Sequence, residues 1–114
     1  MARLTRSISW VKAALKEFGT FPPEAQLRCR LALSVAAEGR MPDVAKPMRG
    51  LGSGVFEIAL SQRGNAFRLV YAVQLGEELW VVHAFQKKAH QGVKTPKHEI
   101  DLIKDRLKRL REML

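Results

Sequence analysis

The sequence predicts an α+β fold in which helices pack on an antiparallel sheet of three to four strands. Three runs rich in β-branched and aromatic residues follow one another with short turn sequences between them, which is typical of a meander. Helical patterns precede these runs and a regular apolar stripe follows them. A length of 114 residues suits a single domain spanning residues 1–114. We therefore expect two N-terminal helices, the sheet, and one C-terminal helix.

The N-terminal part predicts two helices that end at glycines. Residues 8–18 combine a short apolar stretch with good helix formers and stop at Gly19. A second helix is predicted over residues 23–38, because a proline pair suits its first turn and Gly39 ends it. Its predicted core stripe consists of Leu27, Leu31 and Val35, together with Ala32 and Ala36.

The middle of the chain predicts a turn-rich loop and then the sheet. Prolines and glycines punctuate residues 41–54, which we expect to form an ordered loop. In the first strand Glu57 falls on the wetter face and in the second Arg68 falls opposite the main core. The predicted strands are 55–61, 66–75 and 79–86, with turns at 63–65 and 76–78.

The C-terminal part predicts an amphipathic helix. Thr95 is expected to be its N-cap and Pro96 its first residue. The predicted core stripe has alternating spacings of three and four and consists of Ile100, Ile103, Leu107, Leu110 and Leu114.

Charge points to a polyanionic partner. Lys and Arg exceed Asp and Glu by 20 to 11, a net charge of +9, and residues 87–114 alone hold nine of these cations against four acids. A merely solvated cationic surface is the alternative.

The single Cys29 cannot form an internal disulfide and lies in a helical stretch, so we expect a small core residue. With no apolar signal-peptide core and no run of transmembrane length, a cytoplasmic location is expected.

No nucleotide-binding loop, dinucleotide fingerprint, zinc signature or nucleophile elbow is present, and no metal or cofactor is expected. Cationic side chains instead gather near one end of the predicted sheet. Such a cluster suits a phosphodiester, since it can stabilise the extra negative charge of the transition state, although a solvated basic face fits the spacing equally well. The cluster comprises Arg68, Lys87, Lys88, His90, Lys94, Lys97 and His98.

Several single residues allow both a catalytic and a structural interpretation. His98 could move a proton near neutral pH. His83 alternates with apolar residues in a strand, so a core histidine with satisfied hydrogen bonds is favoured over a catalytic one. Tyr71 and Trp80 are expected in the core for the same reason. Glu57 is either a catalytic base or a surface charge.

The motifs together resemble a known toxin family. They are ISW at 8–10, FP at 21–22, KPMRGLGSGVFEI at 46–58, FRLVYAV at 67–73, and HAFQKK followed by KTPKHEI at 83–88 and 94–100. In this order they resemble the phage Gp49-like branch of HigB toxins, within the RelE/ParE superfamily of toxin–antitoxin systems. The resemblance spans nearly the whole chain and implies a RelE-like fold.

The resemblance also implies an activity. Its members enter the ribosomal A site and cut mRNA by attack of the RNA 2′-hydroxyl on the adjacent phosphate, and a small helix-turn-helix antitoxin of the HigA kind inhibits them. By position it implies Arg68, Lys87 and Lys88 as catalytic residues, with His98 in proton transfer. RNA-binding roles are expected for Arg63, His90, Lys94 and Lys97. The lysines that RelE carries on the preceding strand are replaced here by Glu57 and Ala59.

Two other functions remain open. ParE-like members of the same superfamily inhibit DNA gyrase without cutting RNA. A phage accessory protein that only binds nucleic acid is the third possibility.

Overall fold

The computed structural model describes residues 5–88 and 94–114 and contains helices on both faces of a sheet. The α+β prediction is confirmed. The sheet differs from the prediction, because its described part has five strands in the order β1-β5-β4-β3-β2, and β1 runs parallel to β5. The elements are β1 Ile8–Trp10, α1 Lys12–Phe18, α2 Pro23–Ala37, β2 Ala45–Pro47, β3 Val55–Gln62, β4 Asn65–Leu75, β5 Glu78–Lys88 and α3 Lys97–Met113. None of the helices in the described ranges is long and apolar enough to cross a membrane.

The two added strands are short and lie at the edges of the sheet. Residues 8–10, predicted as helix, form β1 because their backbone pairs with β5, and the helix begins only at Lys12. Strand β2 lies inside the predicted loop and pairs antiparallel with β3. Pro47 is tolerated at the end of this edge strand, where a missing N–H costs no ladder bond.

Both faces of the sheet are covered, so the predicted wetter face is wrong. Helices α1 and α2 pack on one face around Phe18, Cys29 and Tyr71, which confirms the core positions predicted for the cysteine and the tyrosine. On the other face α3 packs Ile103 and Leu107 against the strands. Glu57 is on this second face and is buried, with only 3% of its surface exposed.

Helix α2 buries Ala32 and Ala36 of its predicted stripe but leaves the two leucines of that stripe exposed. Leu27 and Leu31 are 58% and 60% exposed. The residues that contact the sheet are smaller and recur with the same helical periodicity, so periodicity alone could not separate the two stripes. Small side chains let the helix approach the strands closely. The buried residues of α2 are Ala25, Cys29, Ala32, Leu33, Ala36 and Ala37.

Helix α3 keeps most of its predicted stripe but begins one residue later. Pro96 is the N-cap rather than the first helical residue, and the hydroxyl of Thr95 bonds to Glu57 instead of capping the helix. Ile103, Leu107 and Leu110 are buried as predicted. Leu114 lies beyond the last turn and is 58% exposed, so its predicted core position is wrong.

Candidate active site

The register of the sheet brings Arg68, Lys87 and Glu57 to the same face. Directly paired residues of antiparallel strands share a face, as do residues two apart on one strand. Glu57 pairs with Val70, and Lys87 pairs with Ala66, so both lie on the face of Arg68 in β4. Val70 packs in the core beneath α3. These three charged side chains therefore lie on the α3 side of the sheet.

Glu57 and Thr95 complete a compact group, which we call the Arg68 cluster: Arg68, Lys87, Glu57 and Thr95. The Thr95 hydroxyl donates a 2.7 Å hydrogen bond to Glu57 Oε2. Arg68 Nε lies 3.9 Å from Glu57 Oε1, which is an ion-pair distance but too long for a hydrogen bond. Within the described part of the chain, this buried Nε has no hydrogen-bond partner. Arg68 is thus held near a carboxylate, while its own Nε–H donor is unused among the described residues.

Lys87 is the most buried cation of the cluster. It is 5% exposed, and its Nζ donates a 2.7 Å hydrogen bond to the backbone carbonyl of Lys94. Burial, and then the positive charge of Arg68, lower the pKa of Lys87, against the opposing effect of Glu57. Lys46 also lowers this pKa, and its position opposite Glu57 in β2 puts it on the same face. Lys46 was missed by sequence reasoning, although it lies within the KPMRGLG motif.

The predicted residues around α3 lie at its exposed N-terminal end. The side chain of His98 is 76% exposed, and its Nε2 is 3.2 Å from Glu99 Oε2. Lys97 is the exposed first residue of the helix, and the side chain of Lys94 is exposed just before it. Among the described residues, no hydrogen bond or ion pair joins His98 to Arg68 or Lys87.

Three further predicted residues are not brought into the cluster by the described structure. Arg63 is exposed in the β3–β4 turn, with a left-handed φ of 51°, and lines a cleft beside Pro22 and Pro23 at the start of α2. The backbone of Lys88 pairs with Asn65, but its side chain lies outside the described part. His90 also lies outside the described residues.

A partly buried polar network on the same face of the sheet was not predicted. His83 Nε2 is 2.6 Å from Glu99 Oε1, and its Nδ1 is 2.7 Å from an Arg106 nitrogen, so the predicted core histidine with satisfied hydrogen bonds is confirmed. Because Arg106 can only donate, Nδ1 accepts and Nε2–H donates to Glu99. Arg106 also makes two hydrogen bonds to Glu17, at 2.8 and 2.9 Å. The network ties α1, β5 and α3 together.

The Arg68 cluster presents cationic donors of the kind that can bind an anion. Among residues 5–88 and 94–114, no group of three or more His, Cys, Asp or Glu is arranged to hold a metal ion. The cluster offers one guanidinium and one ammonium next to a single carboxylate, and the guanidinium Nε has no partner among the described residues. Fixed donors of this kind stabilise a phosphate and the larger negative charge of its transition state.

The comparisons with known proteins agree with this fold. The family model described as Phage derived protein Gp49-like (DUF891) matches residues 16–108. A search of curated proteins finds no match. Among solved structures, the isolated E. coli RelE toxin has a TM-score of 0.58 at 21% identity, covering 88% of this chain and 97% of that one. The RelBE2 toxin–antitoxin complex of Mycobacterium tuberculosis has a TM-score of 0.48 at 19% identity, covering 75% and 95%.

The structural likeness to RelE extends over almost the whole of that toxin, so the predicted RelE-like fold is confirmed. The family match covers most of the sequence and includes every element from the middle of α1 to the last turns of α3. The chain therefore belongs to the phage-derived Gp49-like family, and its fold is that of the RelE toxins.

Proposed function

We propose that this chain is the toxin of a toxin–antitoxin pair and that it cleaves mRNA on the ribosome without a metal ion. The observation that carries the proposal is the juxtaposition of Arg68 and Lys87 on one face of the sheet, with a buried donor on Arg68 that has no partner within residues 5–88 and 94–114. An RNA phosphate would supply the acceptor that this donor lacks. The net charge of +9 favours a polyanionic substrate, because it steers anions towards the surface.

The proposed reaction is a transesterification within the RNA. The 2′-oxygen attacks the adjacent phosphorus, the bond from phosphorus to the 5′-oxygen breaks, and the products are a 2′,3′-cyclic phosphate and a free 5′-hydroxyl. One proton leaves the 2′-hydroxyl and one is delivered to the departing 5′-oxygen. Arg68 and Lys87 stabilise the negative charge on the non-bridging oxygens as the phosphate becomes pentacoordinate.

Proton transfer is assigned to His98 and charge balance to Glu57. His98 is exposed at the start of α3, where it can reach a substrate bound from solvent. Glu57 is engaged by Thr95 and sits beside Arg68, so it holds the guanidinium in position. We assign Lys88 to the same phosphate site by its sequence position after Lys87. Arg63, His90, Lys94 and Lys97 are assigned to the RNA backbone on either side of the cleavage point.

The proposed partner is a cognate antitoxin of the helix-turn-helix, HigA-like kind, and the proposed compartment is the cytoplasm, where ribosomes are found. A toxin with this activity requires a neutralising protein made in the same cell. The solved RelBE2 structure is itself a complex of a toxin with its antitoxin.

The test is to translate a defined mRNA in a cell extract with the purified protein and to map the new 5′ ends. Cuts within codons are expected with the wild-type chain, and they are expected to disappear with Arg68→Ala. Lys16→Ala, which removes an exposed cation on α1, is the matched control and should cleave normally. Circular dichroism would establish that Arg68→Ala is folded. Intact mRNA with the wild-type protein would end the proposal. DNA damage signalling in cells that express the chain, with mRNA left intact, would favour a gyrase inhibitor.

A further inference from the structure

Lys46 lies on the same face of the sheet as the Arg68 cluster, and the reaction described above gives it no role. It stands in the edge strand β2, directly opposite Glu57, and its side chain is exposed. Residues paired across antiparallel strands point to the same side of the sheet. Lys46 therefore projects from the face that carries Arg68 and Lys87 and is open to a substrate that arrives from solvent.

The carboxylate opposite Lys46 is engaged elsewhere. Opposite charges at directly paired positions stabilise antiparallel strands when they make contact. Here Glu57 Oε2 accepts the hydrogen bond from Thr95, and Glu57 Oε1 is 3.9 Å from Arg68 Nε. None of the ion pairs between described residues involves Lys46. Its ammonium is thus not neutralised by the one carboxylate that its strand position offers.

The positive charges on this face oppose one another. Burial and the charge of Arg68 lower the pKa of Lys87, and the charge of Lys46 adds to this effect while Glu57 opposes it. With three protonated cations and one carboxylate, these four side chains carry a surplus of two positive charges. A bound anion would relieve the repulsion between them.

This surplus of two charges matches the transition state of the proposed reaction better than its ground state. A phosphodiester carries one negative charge. Attack by the deprotonated 2′-oxygen brings a second negative charge onto the pentacoordinate phosphate, and the departing 5′-oxygen then carries that charge away. A site that binds the doubly charged species more tightly than the singly charged one accelerates the reaction.

We propose that Lys46 is a further catalytic cation, which contacts the same phosphate as Arg68 and Lys87 and makes the site selective for a doubly charged group. That this phosphate belongs to cleaved RNA rests on the function proposed above, whereas the preference for a dianion does not. Arg68 and Lys87 form the buried floor of the site, and Lys46 forms its exposed side.

Two small anions test the charge preference without ribosomes. Sulfate carries two negative charges and methyl sulfate carries one, on the same tetrahedral group. Each is titrated into the full chain at constant ionic strength, so that general screening stays the same. The NMR signal of the Arg68 Nε–H group reports binding, because this donor has no partner among the described residues. The signal is assigned by its absence in Arg68→Lys.

The wild-type chain should bind sulfate at least about fivefold more tightly than methyl sulfate. In Lys46→Met, which keeps the length of the side chain and removes its charge, this preference should fall to about twofold or less. Lys16→Met removes an exposed cation from α1 and is the matched control, which should keep the wild-type preference.

Cleavage of ribosome-bound mRNA under single-turnover conditions tests the catalytic role. Lys46→Met should lower the maximal rate constant about 10- to 100-fold, while the protein concentration that gives half of this rate changes by less than about threefold. Lys46→Arg keeps the charge and should cleave within about fivefold of the wild-type rate. Lys16→Met should cleave at the wild-type rate.

Equal affinity of the wild-type chain for sulfate and methyl sulfate would overturn the proposal, as would a preference that Lys46→Met leaves unchanged. A loss of cleavage that Lys46→Arg shares with Lys46→Met would show that the charge of residue 46 is not what matters, and would also overturn it. The two proposals can fail separately. A preference for sulfate that depends on Lys46, with mRNA left intact, would support the dianion site while ending the proposed cleavage.

Discussion

The ammonium of Lys87 donates a 2.7 Å hydrogen bond to the backbone carbonyl of Lys94, three residues before α3 begins. The neighbouring Thr95 is bonded to Glu57 in β3. The approach to α3 is therefore fixed to both β3 and β5. This hydrogen bond uses one of the three donors of the ammonium, so the carbonyl of Lys94 leaves the other two unengaged.

The buried position of Lys87 predicts a specific dependence of stability on pH. Burial and Arg68 lower its pKa in the folded state from 10.5. The unfolded chain then holds the proton more tightly, so this lysine makes the free energy of unfolding rise as pH increases from the folded-state pKa towards 10.5. Lys87→Met should lack this rise.

Urea unfolding at a series of alkaline pH values measures the difference in the free energy of unfolding between the wild-type chain and Lys87→Met. As pH increases, the free energy of unfolding of the wild-type chain should rise relative to that of the variant. Lys16→Met, at an exposed site on α1, corrects for general alkaline effects. A difference that stays constant with pH would contradict the burial of a charged Lys87.

Glu17 predicts the opposite dependence, at acidic pH. Burial raises its pKa, but hydrogen bonds from Arg106 and from the amide of Ala84, with other favourable charges, more than compensate, and the net pKa lies below 4.5. A lowered carboxyl pKa stabilises the fold above pH 4.5, and this stabilisation is lost as pH falls through the folded-state value.

Glu17→Gln should lower the free energy of unfolding by about 1 to 2 kcal/mol at neutral pH, because charge-assisted hydrogen bonds are weakened at a partly exposed site. The loss should shrink as pH falls below about 4.5. Chemical denaturation at several pH values measures it, with Glu77→Gln in an exposed turn as the control. A loss that is independent of pH would show that the carboxylate charge is not what stabilises the network.

Gly54 and Gly64 form a matched pair. Substituting Gly54 tests both backbone strain and side-chain packing before β3, whereas substituting Gly64 tests backbone strain alone. Both have left-handed backbones, with φ values of 77° and 79°. A Cβ at residue 54 would lie 2.8 Å from Gln74 Cγ, whereas a Cβ at residue 64 would meet nothing within 4 Å. Gly64→Ala should therefore cost about 1 to 2 kcal/mol from strain. Gly54→Ala should cost about 1 kcal/mol more from the steric contact.

Thermal or urea unfolding of both variants measures the difference. In a Gln74→Ala background most of the extra cost at residue 54 should disappear, because Cγ and Cδ are removed and only the Cβ contact at 3.1 Å remains. Equal losses for the two glycine variants in the wild-type background would mean that Gln74 moves away freely.

The long elements could be predicted from the sequence because their patterns are local. Alternating side chains predicted the central strands, and an apolar stripe with spacings of three and four predicted α3. The strands β1 and β2 have three residues each, which is too short for any periodicity, and they exist only through their pairing with β5 and β3. The sequence also did not show which face of α2 packs against the sheet, because leucines and small residues both recur with helical spacing.

The sequence predicted several residues of the candidate site but not how they are arranged. Arg68 and Lys87 were identified through motifs, and only the strand register shows that they share a face with Glu57. The contact between Glu17 and Arg106 joins residues 89 positions apart, so no local pattern could reveal it. Glu57 was placed on a wetter face because the alternation of β3 gives no sign that α3 covers it.

The central claim is that Arg68 and Lys87 act on the same phosphate. The measurement is a double-mutant cycle on the single-turnover rate constant for cleavage of ribosome-bound mRNA, with Arg68→Ala, Lys87→Ala and the double variant. Each single substitution should slow cleavage about 10²- to 10³-fold, and the double variant should lose much less than the product of the two. Losses that multiply fully, or a single variant that cleaves at the wild-type rate, would contradict a shared phosphate site.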